Sequence, residues 1–206
     1  MTRLPPKVLM PFPAVSNAEA SFLSSCRDYG LQPDSTPFMA EFAGTLHETL
    51  AASRPAHFGQ AAKAALRAYI CETELLSAAQ CVGSPEGYRR HLLYVSPDRD
   101  FSVMSVVWNP GQRSPVHGHT AWGAVGVYAG QPFCEPETAS QRDNGTLDYQ
   151  RLETLRLKPH DLAIVDPGLG TIHRIGNDGV SRCITVHIYG RDLLENPSAI
   201  NFFVAD

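Results

Sequence analysis

The chain has 206 residues, 43% hydrophobic and 18% charged, and its 17 Lys+Arg against 21 Asp+Glu leave a formal net charge of −4. A length near 200 suits a single β-sandwich or barrel and supplies a core without disulfide or metal staples. The slight acidity, with no run of like charges longer than two residues, does not suggest a phosphate-binding surface, so nucleic acid is not an expected partner.

The first segment, MTRLPPKVLMPFPAVSNAEAS, is broken by Pro5, Pro6, Pro11 and Pro13 and lacks the continuous apolar stretch of a secretory signal. No segment has the apolar length to span a membrane, and no membrane partner is expected. Residues 17 to 80 or so read as helical. Ser16 or Asn17 can cap a first helix running through Arg27, with Gly30 placed to end it. Pro37 opens a second helix, PFMAEFAGTLHETLAAS, and a third, rich in Ala, Leu, Gln and Lys, starts after Pro55 and runs toward Gln80. From Tyr88 the texture changes to short alternating or β-branched stretches (FSVMSVVW, AVGVY, DLAIVD, CITVHIY) separated by NPGQ, DNG, DPGLG and GNDG. These predict seven or eight short strands. Sixteen Gly and sixteen Pro, scattered without period, fit many tight turns between them. Helices gathered ahead of a block of strands predict an α+β arrangement, mainly β, in which a small helical region packs on an antiparallel sandwich or barrel. Five widely spaced cysteines, Cys26, Cys71, Cys81, Cys134 and Cys183, form no CxxC pair. They read as unpaired thiols of a reducing cytosol, and the expected localisation is cytoplasmic.

The densest functional segment is GQRSPVHGHTAWGAVGVYAG, Gly111 to Gly130. Read as one strand, it places His117, His119, Ala121, Gly123, Val125 and Val127 on one side, so that two imidazoles point inward together. Two histidines at i and i+2 can bind one cation; taken alone, they can equally be surface or hydrogen-bonded core histidines. In Cys183–Tyr189, residues Thr185, His187 and Tyr189 fall at i, i+2 and i+4 on one strand face, where a hydroxyl, an imidazole and a phenol could pass a hydrogen bond along.

The frame around the histidines resembles the cupin superfamily. Gly111, five residues, His117-x-His119 and then Gly130 fit its first motif at every spacing except that Gly123 stands where the motif has Glu. Pro167-Gly168-Leu169-Gly170-Thr171-Ile172-His173-Arg174-Ile175-Gly176-Asn177 resembles the second, with His173 as third ligand. The implied fold is a cupin-type antiparallel β-sandwich or barrel (jelly roll). It would form one domain over 1–206, with a helical region to about residue 82 and the barrel from about 83. Three neutral imidazoles without a carboxylate leave a full 2+ charge on the cation, which favours an anionic ligand such as a thiolate.

The missing Glu, the G-x-x-H-R context of His173 and the Thr-x-His-x-Tyr run together look like the cysteine dioxygenase type I family of thiol dioxygenases. The resemblance covers roughly residues 85 to 190. It implies one mononuclear non-haem Fe(II) on His117, His119 and His173, and catalytic Tyr189, His187 and Thr185. It also implies a carboxylate anchor at Arg90 with Tyr88 beside it, and a small thiol and O2 as partners. Mammalian members crosslink a cysteine at the position of Gly123 to the tyrosine matching Tyr189, which glycine forbids here. SPVHGHTAWG and the HIYG-R ending look like the bacterial branch that includes 3-mercaptopropionate dioxygenases, where the anchor is usually glutamine. Arg90 matches the cysteine-specific enzymes, and its fork binds a carboxylate as Gln cannot. L-Cysteine is therefore the favoured substrate, ahead of 3-mercaptopropionate or mercaptosuccinate. Rival readings are a zinc, nickel or manganese cupin isomerase or hydrolase, and a non-enzymatic binding cupin.

Other residues carry less. Trp122 is expected to pack on the face away from the histidines, and Arg113 and Arg174 to be solvated or structural; Arg191 reads equally as an orienter of Tyr189 or as one half of a surface salt bridge. His47, His57, His91 and His160 fit no ligand spacing. Cys183 is expected to be a small buried hydrophobe, and Glu135 and Glu137 to be loop charges.

Overall fold

A computed structural model describes residues 9–10, 30–32, 34–141, 147–194 and 201–204. The first expected helix, from Ser16 or Asn17 to Arg27, and the Asp143-Asn144-Gly145 turn lie outside them. Helix α1 spans Pro37–Ala51, with Thr36 as its N-cap: the Thr36 hydroxyl accepts from Met39 N at 3.1 Å. Its apolar stripe of Met39, Phe42, Ala43, Leu46 and Leu50 is buried, the spacing of one helix face. After a 3₁₀ turn at Pro55–His57, helix α2 runs over Phe58–Tyr69 and buries Ala61, Ala62, Ala65 and Leu66.

This is shorter than the expected run to Gln80. Thr36 Oγ1 donates to the carbonyl of Leu75 at 3.0 Å, claiming an acceptor that a continued helix would need, and Leu75 and Leu76 turn into the core. A tertiary bond and local burial outweigh helix propensity here.

Thirteen strands are described: β1 Leu9–Met10, β2 Gly30–Leu31, β3 Arg89–Val95, β4 Ser102–Trp108, β5 His117–His119, β6 Gly123–Ala129, β7 Phe133–Gln141, β8 Leu147–Arg151, β9 Leu155–Arg156, β10 Leu162–Val165, β11 Gly168–Gly176, β12 Cys183–Tyr189 and β13 Asn201–Val204. Eleven of them follow Tyr88, more than the seven or eight expected, because short stretches such as β5 and β9 pair separately. The segment before residue 82 is not purely helical either, since Gly30 opens a strand on β3 and Leu9–Met10 pairs with β13. All pairings are antiparallel. One sheet has the order β1-β13-β5-β11-β7-β8, with β9 also on β7, and the other β10-β6-β12-β4-β3-β2. The fold is α+β, mainly β: an open jelly-roll sandwich of two sheets rather than a closed barrel. Among the described residues no helix is long and apolar enough to cross a membrane.

The central strands of the six-stranded sheet are buried on both faces. Every residue of β4 and β12 is buried, and alternation divides them. Val103, Val107, Ile184, Val186 and Ile188 join Met39, Phe42 and Leu66 of the helices in one cluster. Met104, Val106, Trp108, Cys183 and Tyr189 form the inner one with Leu92 and Ile175. The helices thus cover the outer face and leave the inner face free to carry polar chemistry.

Candidate metal centre

The Gly111–Gly130 segment does not form one strand. After β5 it bends at Thr120–Trp122 and continues as β6 in the opposite sheet. His117 and His119 therefore reach the interior from one wall, and Gly123 and Val125 from the other. The motif glycines Gly111 and Gly130 have φ of +83° and +78°, conformations that favour glycine. His173 on β11 lies opposite His117 on β5, which brings the third imidazole to the first two. Asn177, at the end of the second motif, ties the strand ends together by donating to the carbonyls of Trp108 (2.9 Å) and Ser181 (2.8 Å).

Ring nitrogens of His117, His119 and His173 all lie within 4.8 Å of one another, and Nε2 of His119 is 3.3 Å from Nε2 of His173. A cation about 2.1 Å from each nitrogen holds neighbouring donors about 3.0 Å apart at a right angle and about 3.4 Å apart at a tetrahedral one. The three histidines are positioned to bind a metal ion. His117 Nδ1–H donates to the Pro115 carbonyl at 3.0 Å, so its Nε2 keeps the lone pair that a metal requires. Burial, opposed by that bond and aided by the charge of Arg90, lowers the His117 pKa to about 4. His173 is held well below the usual range by burial and then by His117 and His187. Neutral rings are the ligating form.

The facing wall carries the Thr185, His187 and Tyr189 line. Sheet register sets Thr185 against Val106 and Val127, His187 against Met104 and Val125, and Tyr189 against Ser102 and Gly123. Thr185 Oγ1 is 2.7 Å from His187 Nε2, and His187 Nδ1 is 3.0 Å from Tyr189 Oη. Sequence reasoning missed the residue that sets the direction of this chain. Trp108 Nε1–H donates to Thr185 Oγ1 at 3.0 Å, and an indole can only donate. The Thr185 proton therefore goes to His187 Nε2. Burial lowers His187 to about 3, so its single proton sits on Nδ1 and is donated to Tyr189. Tyr189, pushed well above the usual phenol range by burial, keeps its own proton to donate into the pocket. Its ring stacks on His119 at 5.5 Å between centroids.

Tyr88 and Arg90 enter the same pocket from β3 and the residue before it. The Tyr88 ring packs on Trp108 at 4.6 Å, and the Arg90 guanidinium stands 5.7 Å above the Tyr88 ring. The lining comprises these residues with Met104, Val106, Ile175, Ser114, Pro115, Asn201, His117, His173, His187 and Tyr189. No carboxylate lines it among the described residues. Of the expected site residues, Tyr88, Arg90, His117, His173, His187 and Tyr189 line this cavity, His119 belongs to the histidine cluster, and Thr185 lies behind His187, outside the lining.

Gly123 has a steric reason. A Cβ there would lie 2.7 Å from the Ile188 carbonyl and 2.8 Å from Tyr189 Cδ1. Gly123→Ala is expected to cost about 1–3 kcal/mol by overpacking, read as a fall in Tm of several degrees. An unchanged Tm would show that the wall yields.

The remaining residues sort by packing. Trp122 packs on Phe58 at 5.5 Å, and Cys183 is buried in the inner cluster. Arg174 pairs with Glu135 at 3.7 Å, and His47 bonds Tyr94 Oη at 2.6 Å. Glu135 and Glu137 are not loop charges. Both lie on β7, and buried Glu137 is bonded by Arg151 from β8 at 3.1 Å; a charged side chain tolerates burial where a paired strand supplies its partner.

No protein-family model matches the sequence. Solved structures with a similar fold include a double-stranded β-helix protein from Klebsiella pneumoniae, 21% identical over 59% of this chain and 87% of that one, at a TM-score of 0.43. A cupin-like protein from Thermotoga maritima is 19% identical over 54% and 77%, at 0.38. A sugar phosphate isomerase of the cupin superfamily from Silicibacter pomeroyi is 21% identical over 50% of this chain, at 0.37, and the match spans 59% of that chain. With TM-scores this low, the architecture rests on its own strand order and the chemistry on the residues described above.

Proposed function

We propose that the chain is a thiol dioxygenase of the cysteine dioxygenase type. It would add both atoms of O2 to the sulfur of a small carboxylated thiol, L-cysteine first and 3-mercaptopropionate or mercaptosuccinate as alternatives. The carrying observation is one cleft lined by His117 and His173 of the convergent histidine cluster on one wall, and by Arg90, His187 and Tyr189 on the other, with His119 completing the cluster and Thr185 backing His187. The reaction RSH + O2 → RSO2H balances without an external reductant. Iron(II) held by His117, His119 and His173 would supply the redox chemistry by which dioxygen reacts with a thiolate.

The chain's own residues bind and orient. Three neutral imidazoles, with no carboxylate lining the cleft among the described residues, would leave the charge of a bound cation uncompensated, which favours an anionic sulfur. Arg90 takes the substrate carboxylate through its fork, with Tyr88 and Trp108 stacked behind it. Tyr189 donates its hydroxyl proton to the reacting groups, oriented through His187, Thr185 and Trp108. Met104, Val106 and Ile175 line the rest with apolar surface.

Oxygen uptake by iron-loaded protein, measured against cysteine, 3-mercaptopropionate, mercaptosuccinate and cysteamine, tests the reading. The carboxylated thiols should be consumed with one O2 each, and cysteamine, which has nothing for Arg90 to grip, should be poor. Arg90→Ala should raise KM for the preferred thiol about 10–100-fold, the loss of a charge-assisted pair. Bound zinc with no thiol-dependent uptake would sink the proposal, and an unchanged KM would remove Arg90 as anchor.

A further inference from the structure

The C-terminal strand brings one more polar side chain to the histidine cluster. β13 pairs with β5 in the register Asn201↔His119, Phe202↔Gly118. Directly opposed residues of an antiparallel pair project to the same face. Asn201 and His119 therefore face the interior together, while Phe202 goes to the other side and packs with Val116 and Ile172. Gly118 fixes this register: a Cβ there would stand 2.1 Å from Phe202 Cζ. Any side chain at 118 would push Phe202 away, and Asn201 with it.

At this crossing two buried polar atoms lack partners, His119 Nδ1 and Asn201 Oδ1. Each such orphan costs about 1–3 kcal/mol, and the two are complementary. His119 Nε2 is the nitrogen turned to His173, so a cation in the cluster takes that lone pair and the neutral ring carries its proton on Nδ1, a donor. Asn201 faces the His119 ring within hydrogen-bonding reach. The His117 ring already has this arrangement closed, with the Pro115 carbonyl on its Nδ1.

We propose that Asn201 is a positioning residue of the metal centre: its Oδ1 accepts the Nδ1–H of His119, fixing the tautomer that leaves Nε2 for the cation and making the C-terminal strand part of the site. The inference rests on the three-histidine metal reading, and the test separates the two. Co(II) is titrated into the full metal-free chain, followed by visible absorption, with melting of each metal-free variant as a fold control. Asn201→Leu, similar in size but without an acceptor, should bind Co(II) about 10–100-fold more weakly than the native chain. Asn201→Asp, which keeps the acceptor, should bind at least as tightly as the native chain. If the Leu variant does not fold, Asn201→Ser, too short to reach the ring, takes its place with the same expectation. Native binding by the acceptor-less variant, or an Asp variant as weak as the Leu one, overturns the role of Asn201 while leaving the metal site standing. A native chain that binds no Co(II) overturns both.

Discussion

Acidifying the metal-free protein from pH 7.5 to pH 5 should remove a large part of its folding stability. Four histidines, His117, His119, His173 and His187, are lowered by burial before any other cause. In the unfolded chain each regains a pKa near 6.5. Above that value neither state is protonated and the histidines contribute no pH dependence. Below it the unfolded chain takes up protons that the folded chain refuses, down to about pH 4 for His117 and about 3 for His187. The penalty is roughly 2 kcal/mol each for His117 and His187 at pH 5, about 4 kcal/mol together, with His119 and His173 acting in the same direction, against a total stability of about 5–15 kcal/mol for a typical domain. Urea unfolding in the presence of a chelator, repeated across this range, should give a slope approaching four protons. A slope of one proton or less would mean that the cluster opens to water and that its rings are not held neutral.

The parts of the site that could be read from sequence are those set by one strand's own period. Thr185, His187 and Tyr189 alternate on β12, whose two buried faces leave no freedom of register, and His117 and His119 alternate on β5. His173 was legible through its motif. The turn at Thr120–Trp122 was not, because β5 is only three residues long and is held by β11 and β13, strands far along the chain. Period-2 counting has no means of seeing a strand change sheets. Trp108 and Asn201 were missed for the same reason. Trp108 meets Thr185 across 77 residues, and Asn201 meets His119 through sheet register alone. Neither has a local spacing to betray it. Glu137 was misread because a charge beside a turn-rich stretch resembles a loop until Arg151 is seen opposite it.

Four histidines share this interior, and they should divide into three that hold metal and one that does not. His187 has both ring nitrogens committed, Nε2 to Thr185 and Nδ1 to Tyr189, which leaves no lone pair for a cation. His117 directs Nδ1 to the Pro115 carbonyl, and His119 and His173 turn Nε2 toward each other. Replacing His117, His119 or His173 by Ala should each weaken metal binding by about 3–4 kcal/mol, on the order of a few hundredfold, the share of one donor in a structural-type site. Thiol-dependent oxygen uptake should be abolished with it. His187→Gln should retain one metal per chain, because it removes no ligand. It should lower kcat about 10–100-fold with little change in KM, because the Tyr189 hydroxyl then loses its orientation. Metal content after dialysis, measured beside the kinetics, decides between the roles. If His187→Gln loses its metal while one of the three Ala variants keeps it, the ligand set is wrong; the cation then lies nearer β12, and the hydrogen-bonded line from Trp108 to Tyr189 is part of its coordination rather than its support.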